Sequence, residues 1–400
     1  MRRDRPPAER AMKVAFLIQR RNFYRLFGPI VDRALERGWE AECWHDWSQA
    51  RRGPKGSEFP DEAPAFRHGR SGSARWFGLQ YTLDVAELVD GSGRTDCDGI
   101  GLHSQYWAER TPDCLRIRAY ARSAATGQPA AAVDDAAVVA TLGRLGRIVG
   151  IPELDQCHWI DPLDVRRRLG LDPAKPVVLY CPFPFWSNPR TFWVRHVYGA
   201  SPLHGRLAVR LARRAEYRAH LASGLDDRSV VRAVRAFCDR NGAALVVKAR
   251  AKDGAPGYLT RCADRVLGDE HYYPATILEL LKVSALCLHF FSTVAYEAAY
   301  AGVPSICIAP DAVDAGFHPL LREWFLSLEP GSSFNVRGVV YPMGLRELVG
   351  GFAGRRLADF PLDHAARAQY IDKFIGFDDG KGADRVLDAV QSLVERGGAR

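Results

Sequence analysis

Three side chains in the stretch LHFFSTVAYEAAYAGVPSICIAPD (288–311) have the types and spacing for binding a nucleotide: Ser292, Thr293 and Glu297. The two hydroxyls stand where an apolar strand pattern gives way to a helical one, and Gly302 with Pro304 ends the helix. A capping box would place its acid three residues after the capping hydroxyl. Glu297 lies four residues after Thr293 and five after Ser292, so capping does not account for it. Residues four apart share a helix face, which predicts Thr293 and Glu297 facing outward together beside the helix N-terminus. Backbone N–H groups at such an end attract phosphate, and a carboxylate one turn further in can accept ribose hydroxyls.

Cations that could hold the phosphates come earlier in the chain. In VVKARAKD (246–253), Lys248, Arg250 and Lys252 alternate at the end of an apolar run, so an extended backbone aims all three to one side. Three cations on one side suit a diphosphate, although a solvated loop would look the same. After the first strand, QRRNFYRLFG lacks a G-x-G-x-x-G fingerprint, which argues against a standard NAD or FAD site. Arg20, Arg21 and Asn22 nevertheless follow a strand end, where an anionic acceptor group could bind. His103 follows the apolar GIGL and has the ring chemistry of a general base, with a satisfied structural histidine as the simpler alternative. Asp96-Cys97-Asp98 has the D-x-D form of a metal-holding motif but precedes its strand, so no metal site is expected. Asp379-Gly380-Lys381 precedes the last helical pattern. Its glycine lets backbone approach a ligand closely, and Asp379 either joins the site or caps the helix.

Elements must place these groups. MKVAFLIQ (12–19) reads as a buried strand, and 27–44 as helix, stop at Gly38 and second strand, a β-α-β opening that favours a parallel sheet. Residues 48–78 read as a long loop, with helical patterns near 79–90 and 113–125 and a short strand entering a turn over 146–155. A polar, Pro-containing link over 163–176 leads to the strand PVVLYC and a second alternation. Its helix is expected over 227–240, its strands over 243–249, 285–290 and 305–309, and a last helix over 383–396. The fold class is thus α/β, two Rossmann-like domains facing a cleft, with a C-terminal helix able to cross back to the N-terminal domain. The expected divisions are a flexible tail (1–11), an N-terminal acceptor domain (12–170), a C-terminal donor domain (171–364) and a helical segment (365–400).

Composition narrows the class. The chain has 400 residues and 47% hydrophobic content, as a globular protein of two domains would. Its net charge of +8 suits a phosphate-bearing substrate or an anionic membrane surface. Nine scattered cysteines without C-x-x-C point to a reduced, cytoplasmic setting. No apolar run reaches the roughly 18–20 residues of a membrane span. Residues 183–220 crowd Phe183, Phe185, Trp186, Phe192 and Trp193 beside a basic helix pattern with Leu203, Leu207 and Leu211 in one stripe. That combination suits peripheral contact with the inner membrane face, or a helix docked on the core. No nucleic-acid module is present.

HFFSTVAYEAAYAGVPSICIA resembles the nucleotide-site segment of the GT-B glycosyltransferases, and VGIPELD, RRRLGLDPAKPVVLYCP and DDGKGADRV resemble, within them, the CDP-glycerol glycerophosphotransferase-like branch. The resemblance implies a metal-independent, cofactor-free transferase that builds surface polymers. It also implies His103 as base, Ser292, Thr293 and Glu297 at the donor, and Asp379, Gly380 and Lys381 near the nucleotide. Phe290-Phe291 stands where the branch has Asp-Tyr, Lys248-Ala249-Arg250 where it has His-Pro, and His103-Ser104 where it has His-Gly. The implied partners are a nucleotide-activated donor (CDP-glycerol, another CDP-polyol or a nucleotide sugar) and a glycan or lipid-linked acceptor. A nucleotide-sugar 2-epimerase and a non-catalytic scaffold in polymer export are the alternatives on the same architecture.

Overall fold

A computed structural model describes residues 12–18, 23–45, 75–81, 85, 88–182, 211, 214–222, 224–249, 255–268, 270–309 and 328–398. The chain forms two compact units, Met1–His158 with Lys373–Arg400, and Trp159–Asp372. The change at 158/159 precedes the helix Pro162–Leu169, which packs on the helix Thr276–Lys282 of the second unit. Arg166 of that helix donates to the Val283 carbonyl at 3.0 Å, and Arg168 pairs with the buried Glu279. The change at 372/373 falls inside the helix His364–Phe374.

In the first unit, β1 (Lys13–Ile18) pairs in parallel with β2 (Glu40–His45) across the helix Phe23–Glu36. A second parallel sheet has the order β3-β4-β5, from Phe77–Leu79, Gly99–Leu102 and Gly146–Ile148. Residues 77–79 are therefore strand, where 77 and 78 were expected to end the long loop and 79 to begin a helical pattern; the run FGLQ is too short and too buried for an amphipathic helix. The helix Gln105–Thr126 follows β4, and Asp135–Leu145 precedes β5. One core joins Phe16, Ile18, Ile30, Ala34 and Val149 to Ala383, Val386 and Leu387 of the last helix, Gly382–Gly398. Arg25 clasps Glu153 through two bonds of 3.0 and 3.1 Å, and Arg37 pairs with Asp384 and Asp388, so the first and last helices of this unit are tied by charge as well.

The second unit is built on a six-stranded parallel sheet of order β11-β10-β9-β6-β7-β8. Its strands are β6 Val177–Tyr180, β7 Ala244–Lys248, β8 Arg265–Leu267, β9 Leu286–His289, β10 Ser305–Ala309 and β11 Val340–Gly344. The central strands are buried along their length, as a sheet covered by helices on both faces requires. Alternation sends Val178, Tyr180, Leu286, Leu288, Ile306 and Ile308 to one face, against Val230, Val234 and Phe237 of the helix Asp227–Arg240. Leu179, Cys287 and Cys307 therefore point to the opposite face.

The tail 1–11, Arg20, Arg21, Asn22, Arg250, Lys252 and nearly all of 183–213 lie outside the described residues. No helix among the described residues is long and apolar enough to cross a membrane.

Candidate functional site

Each unit carries part of the expected site. In the second, β9 ends at His289, the chain turns through Phe290–Thr293 and enters the helix Val294–Ala301. Phe291 turns with φ +35°, which is uncommon for a residue other than glycine. The Ser292 hydroxyl accepts the Val294 N–H at 3.3 Å, whereas Thr293 makes no side-chain cap bond. The N–H groups of Ala295 and Tyr296 are taken by the carbonyls of Ser292 and Thr293, at 3.0 and 2.9 Å. Among the described residues this leaves the Ser292 and Thr293 N–H groups for an incoming anion. Gly302 ends the helix in the left-handed region, as its position predicts.

Glu297 corrects the expectation that it faces outward with Thr293. It is 4% exposed, in a helix buried from Ala295 to Tyr300, while Thr293 is half-buried. The helix is apolar on every side and lies under cover, so the face shared at four-residue spacing points inward. Burial, then the Cys181 thiol, then the Glu297 charge raise the pKa of the Cys287 thiol on β9. Lys248 is the last residue of β7. β6 alone separates β7 from β9, so Lys248 and the Ser292 corner stand on the same carboxyl edge, beyond strands whose axes are two spacings or about 10 Å apart.

His289 did not stand out in the sequence. It is fully buried, with Nε2 3.4 Å from the Ser305 hydroxyl and Nδ1 without a hydrogen-bond partner among the described residues, and burial pushes its pKa down to about 3. A titratable residue ending the apolar run LCL was the signal for it.

In the first unit His103 sits just past β4, at the strand's carboxyl end as expected, but it is only 4% exposed. Its backbone N–H donates to Gln80 Oε1 at 2.9 Å, and Nε2 is 3.1 Å from the Gln80 carbonyl oxygen. Because a carbonyl can only accept, Nε2 carries the proton and Nδ1 the lone pair. That Nδ1 and the Gln80 side-chain Nε2 are both buried without a hydrogen-bond partner among the described residues. Burial lowers the His103 pKa to about 4, so the ring is neutral near pH 7. The next residues fix its backbone: Ser104 Oγ donates to the Lys373 carbonyl at 2.7 Å, and Trp107 Nε1 to that of Phe374 at 2.8 Å. Gly376, at φ +98°, lies so close that a Cβ there would be 2.3 Å from the His103 oxygen.

Asp379, Gly380 and Lys381 also belong to the first unit. Burial raises the Asp379 pKa, but Arg385 at 2.5 Å and the Lys381 N–H outweigh it and hold the carboxyl below its ordinary range. The Arg385 guanidinium lies 3.6 Å over the Phe377 ring. Asp379 is not the residue that holds the last helix's first N–H groups. Asp155 does so, accepting from Gly382 at 3.0 Å and Ala383 at 2.8 Å. Burial pushes the Asp155 carboxyl up to about 6 against these donors. Only its distant position, 227 residues before Gly382, hid that role from the sequence.

Asp98 accepts the Trp76 N–H at 2.9 Å and neighbours Arg75 at 3.6 Å, at the entry to β4. No group of three His, Cys, Asp or Glu stands together as a metal site among the described residues.

No family model matches the chain, and no curated protein matches it in sequence. Among solved structures, it is similar to the wall teichoic acid polymerase TagF, at 12% identity over 97% of this chain and 90% of that one, with a TM-score of 0.50. A variant of that polymerase gives 11% identity over 96% and 89%, with a TM-score of 0.52. The S. aureus MnaA–UDP co-structure gives 12% identity over 96% and 97%, with a TM-score of 0.49. At such identity the likeness is one of architecture, and it agrees with the parallel sheets described above: the chain has the GT-B fold of two Rossmann-like domains.

Proposed function

We propose that this chain is a transferase that uses a nucleotide-diphosphate-activated donor, CDP-glycerol, another CDP-polyol or a nucleotide sugar, to extend a cell-surface polysaccharide or lipid-linked glycan. The observation that carries the reading is the shared carboxyl edge of the second sheet, where Lys248 and the Ser292–Thr293 corner stand two strands apart. Ligands of Rossmann-like sheets bind at that edge. An ammonium on one side and backbone N–H groups on the other suit a diphosphate. Arg250 and Lys252 extend the same cationic run. Glu297, one turn behind Thr293 and nearly buried, takes a ribose hydroxyl that enters at the Ser292 corner rather than one lying on the outer surface, and Asp379, Gly380 and Lys381 make further nucleotide contacts. Arg20, Arg21 and Asn22 serve the acceptor. The architecture shared with a wall teichoic acid polymerase is in keeping with a surface polymer as product.

His103 is the base. With its Nε2 proton held by the Gln80 carbonyl, the Nδ1 lone pair accepts the proton of the attacking hydroxyl. With a glycosyl donor, the hydroxyl oxygen bonds to the anomeric carbon as the bond to the diphosphate breaks, inverting the centre. With a CDP-polyol, the oxygen bonds to the phosphorus bearing the polyol and CMP departs. In both cases Lys248, Arg250, Lys252 and the Ser292 corner neutralise the departing phosphate, which needs no metal ion. The aromatic and basic region 183–220 brings the protein to the inner membrane face, where a lipid-linked acceptor would lie.

Thermal unfolding of the full chain with CDP, UDP, GDP and ADP tests the donor side. One nucleotide is expected to raise the midpoint, and Glu297→Ala to abolish that rise while the circular dichroism spectrum is retained. No response to any of the four, or equal affinity in the variant, would refute the assignment. Incubation of a nucleotide sugar without acceptor separates transfer from epimerisation, since an epimer formed there would replace the transferase reading.

A further inference from the structure

The helix Asp227–Arg240 and the helix Gly257–Cys262 enclose a hollow of about 300 Å³ lined by Asp226, Arg228, Val231, Arg232, Tyr258, Arg261 and Cys262. It lies on the sheet face that packs against Val230, Val234 and Phe237, opposite the face to which Cys287 points. Three exposed guanidiniums surround it, and among the described residues none pairs with a carboxylate. Arg228 lies over the Tyr258 ring at 5.6 Å, and Arg232 donates only to the Ser229 hydroxyl and the Arg228 carbonyl, at 3.1 and 3.3 Å. On the next turn of the same helix, by contrast, Arg235 holds both Asp239 and Asp264 at 2.7 Å.

The acids beside the hollow are already engaged. Asp226, 3% exposed, accepts the Ser229 N–H at 2.8 Å and so occupies the helix N-terminus. Asp227, 1% exposed, accepts the Tyr258 hydroxyl. Buried carboxylates bound to N–H and O–H donors offer little to a cation from solvent, while three forked cations face outward. The Tyr258 hydroxyl also holds the ring that supports Arg228.

We propose that this hollow binds phosphate esters carrying two or more negative charges, as a second anion site on the donor unit. Guanidinium forks match phosphate oxygens in pairs, and three of them around one hollow span more than one phosphate. An anionic bilayer is a poorer fit. Val231 on the floor is 1% exposed, and among the described residues no exposed large hydrophobic side chain borders the hollow to enter a bilayer. The natural ligand is either a phosphodiester chain or a free nucleotide.

Arginine modification by phenylglyoxal, read by peptide mass spectrometry on the full chain, tests this. Arg232 and Arg261 should be modified in the free protein and protected by pyrophosphate, but not by sodium chloride at the same ionic strength. A glycerol-phosphate oligomer protecting at lower concentration than CDP identifies a chain as ligand, and the reverse a nucleotide. The double variant R232Q/R261Q should keep its fold and the CDP-induced stabilisation that belongs to the first site, yet need roughly tenfold more pyrophosphate to protect Arg228. Loss of CDP stabilisation in Glu297→Ala alone would leave the second site standing, so the two sites fail separately. Equal modification with and without pyrophosphate, or protection by anionic vesicles alone, would overturn the proposal.

Discussion

At the scale of single residues, His103 and Glu297 share one property: each is a polar group held in a nearly dry setting. For His103 the Gln80 carbonyl fixes the tautomer, and burial keeps the ring neutral down to a pH of about 4. A base so placed gives activity that is flat across neutral pH and falls only in acid. His103→Asn is expected to lower turnover by roughly 100-fold or more while leaving the donor KM near its original value. Steady-state rates between pH 5 and 8 check both statements, and equal turnover in the variant would remove His103 from the mechanism. Gln80→Leu removes the acceptor of the His103 N–H but keeps the backbone carbonyl that orders the ring. It should cost stability, about 1–3 kcal/mol for a lost buried bond, more than it costs turnover.

Among elements, the final helix shows how a distant residue controls a local end. Its first N–H groups are held by Asp155, from the turn Pro152–His158, and not by the nearby Asp379. Asp155→Ala should loosen the helix start by about 1–2 kcal/mol, the usual cost of a lost cap. Hydrogen exchange at Gly382 and Ala383 would report it, and unchanged protection would refute it. Within the second unit, Phe237 is fully buried and stacks on Phe352 with centroids 4.2 Å apart. Phe237→Ala is expected to destabilise that unit by about 3–5 kcal/mol, measurable in urea. Gly376→Ala would place a methyl group against the His103 carbonyl and so disturb the carboxyl end of β4.

For the molecule as a whole, three buried groups among the described residues make stability depend on pH between about 4 and 7. His103 and His289 have folded pKa values lowered to about 4 and about 3, so their contribution is present above the ordinary value of 6.5 and is lost as pH falls. Asp155 is raised from 3.8 to about 6, so its contribution is present below 3.8 and is lost as pH rises through 6. Between pH 4 and 6 the aspartate offsets roughly one of the two histidines, and net stability still falls on acidification. The urea midpoint should therefore drop from pH 7 to pH 5, and drop further in Asp155→Asn, which lacks the opposing group. A midpoint that rises on acidification would contradict these assignments.

Much of the fold was legible because its signals are local. Buried strands announce themselves as apolar runs, and VVLY, ALVVK, LCLH and SICIA lie within a residue or two of their expected places. The helix after Ser292 and its end at Gly302 follow from cap chemistry that involves only neighbours. FGL escaped notice because three residues carry no period. Spacing alone also misjudged Glu297: it tells which residues share a helix face, but only the helix's cover against the sheet decides that this face is the buried one. Likewise Gln80 on His103, Asp155 on Gly382 and the meeting of Arg232 with Arg261 depend on segments far apart in sequence. The chain's residue types thus determined its strands, helices and candidate chemistry. Which polar groups would be dry, paired or left facing solvent was decided by packing, because burial belongs to the assembled fold and not to any one segment.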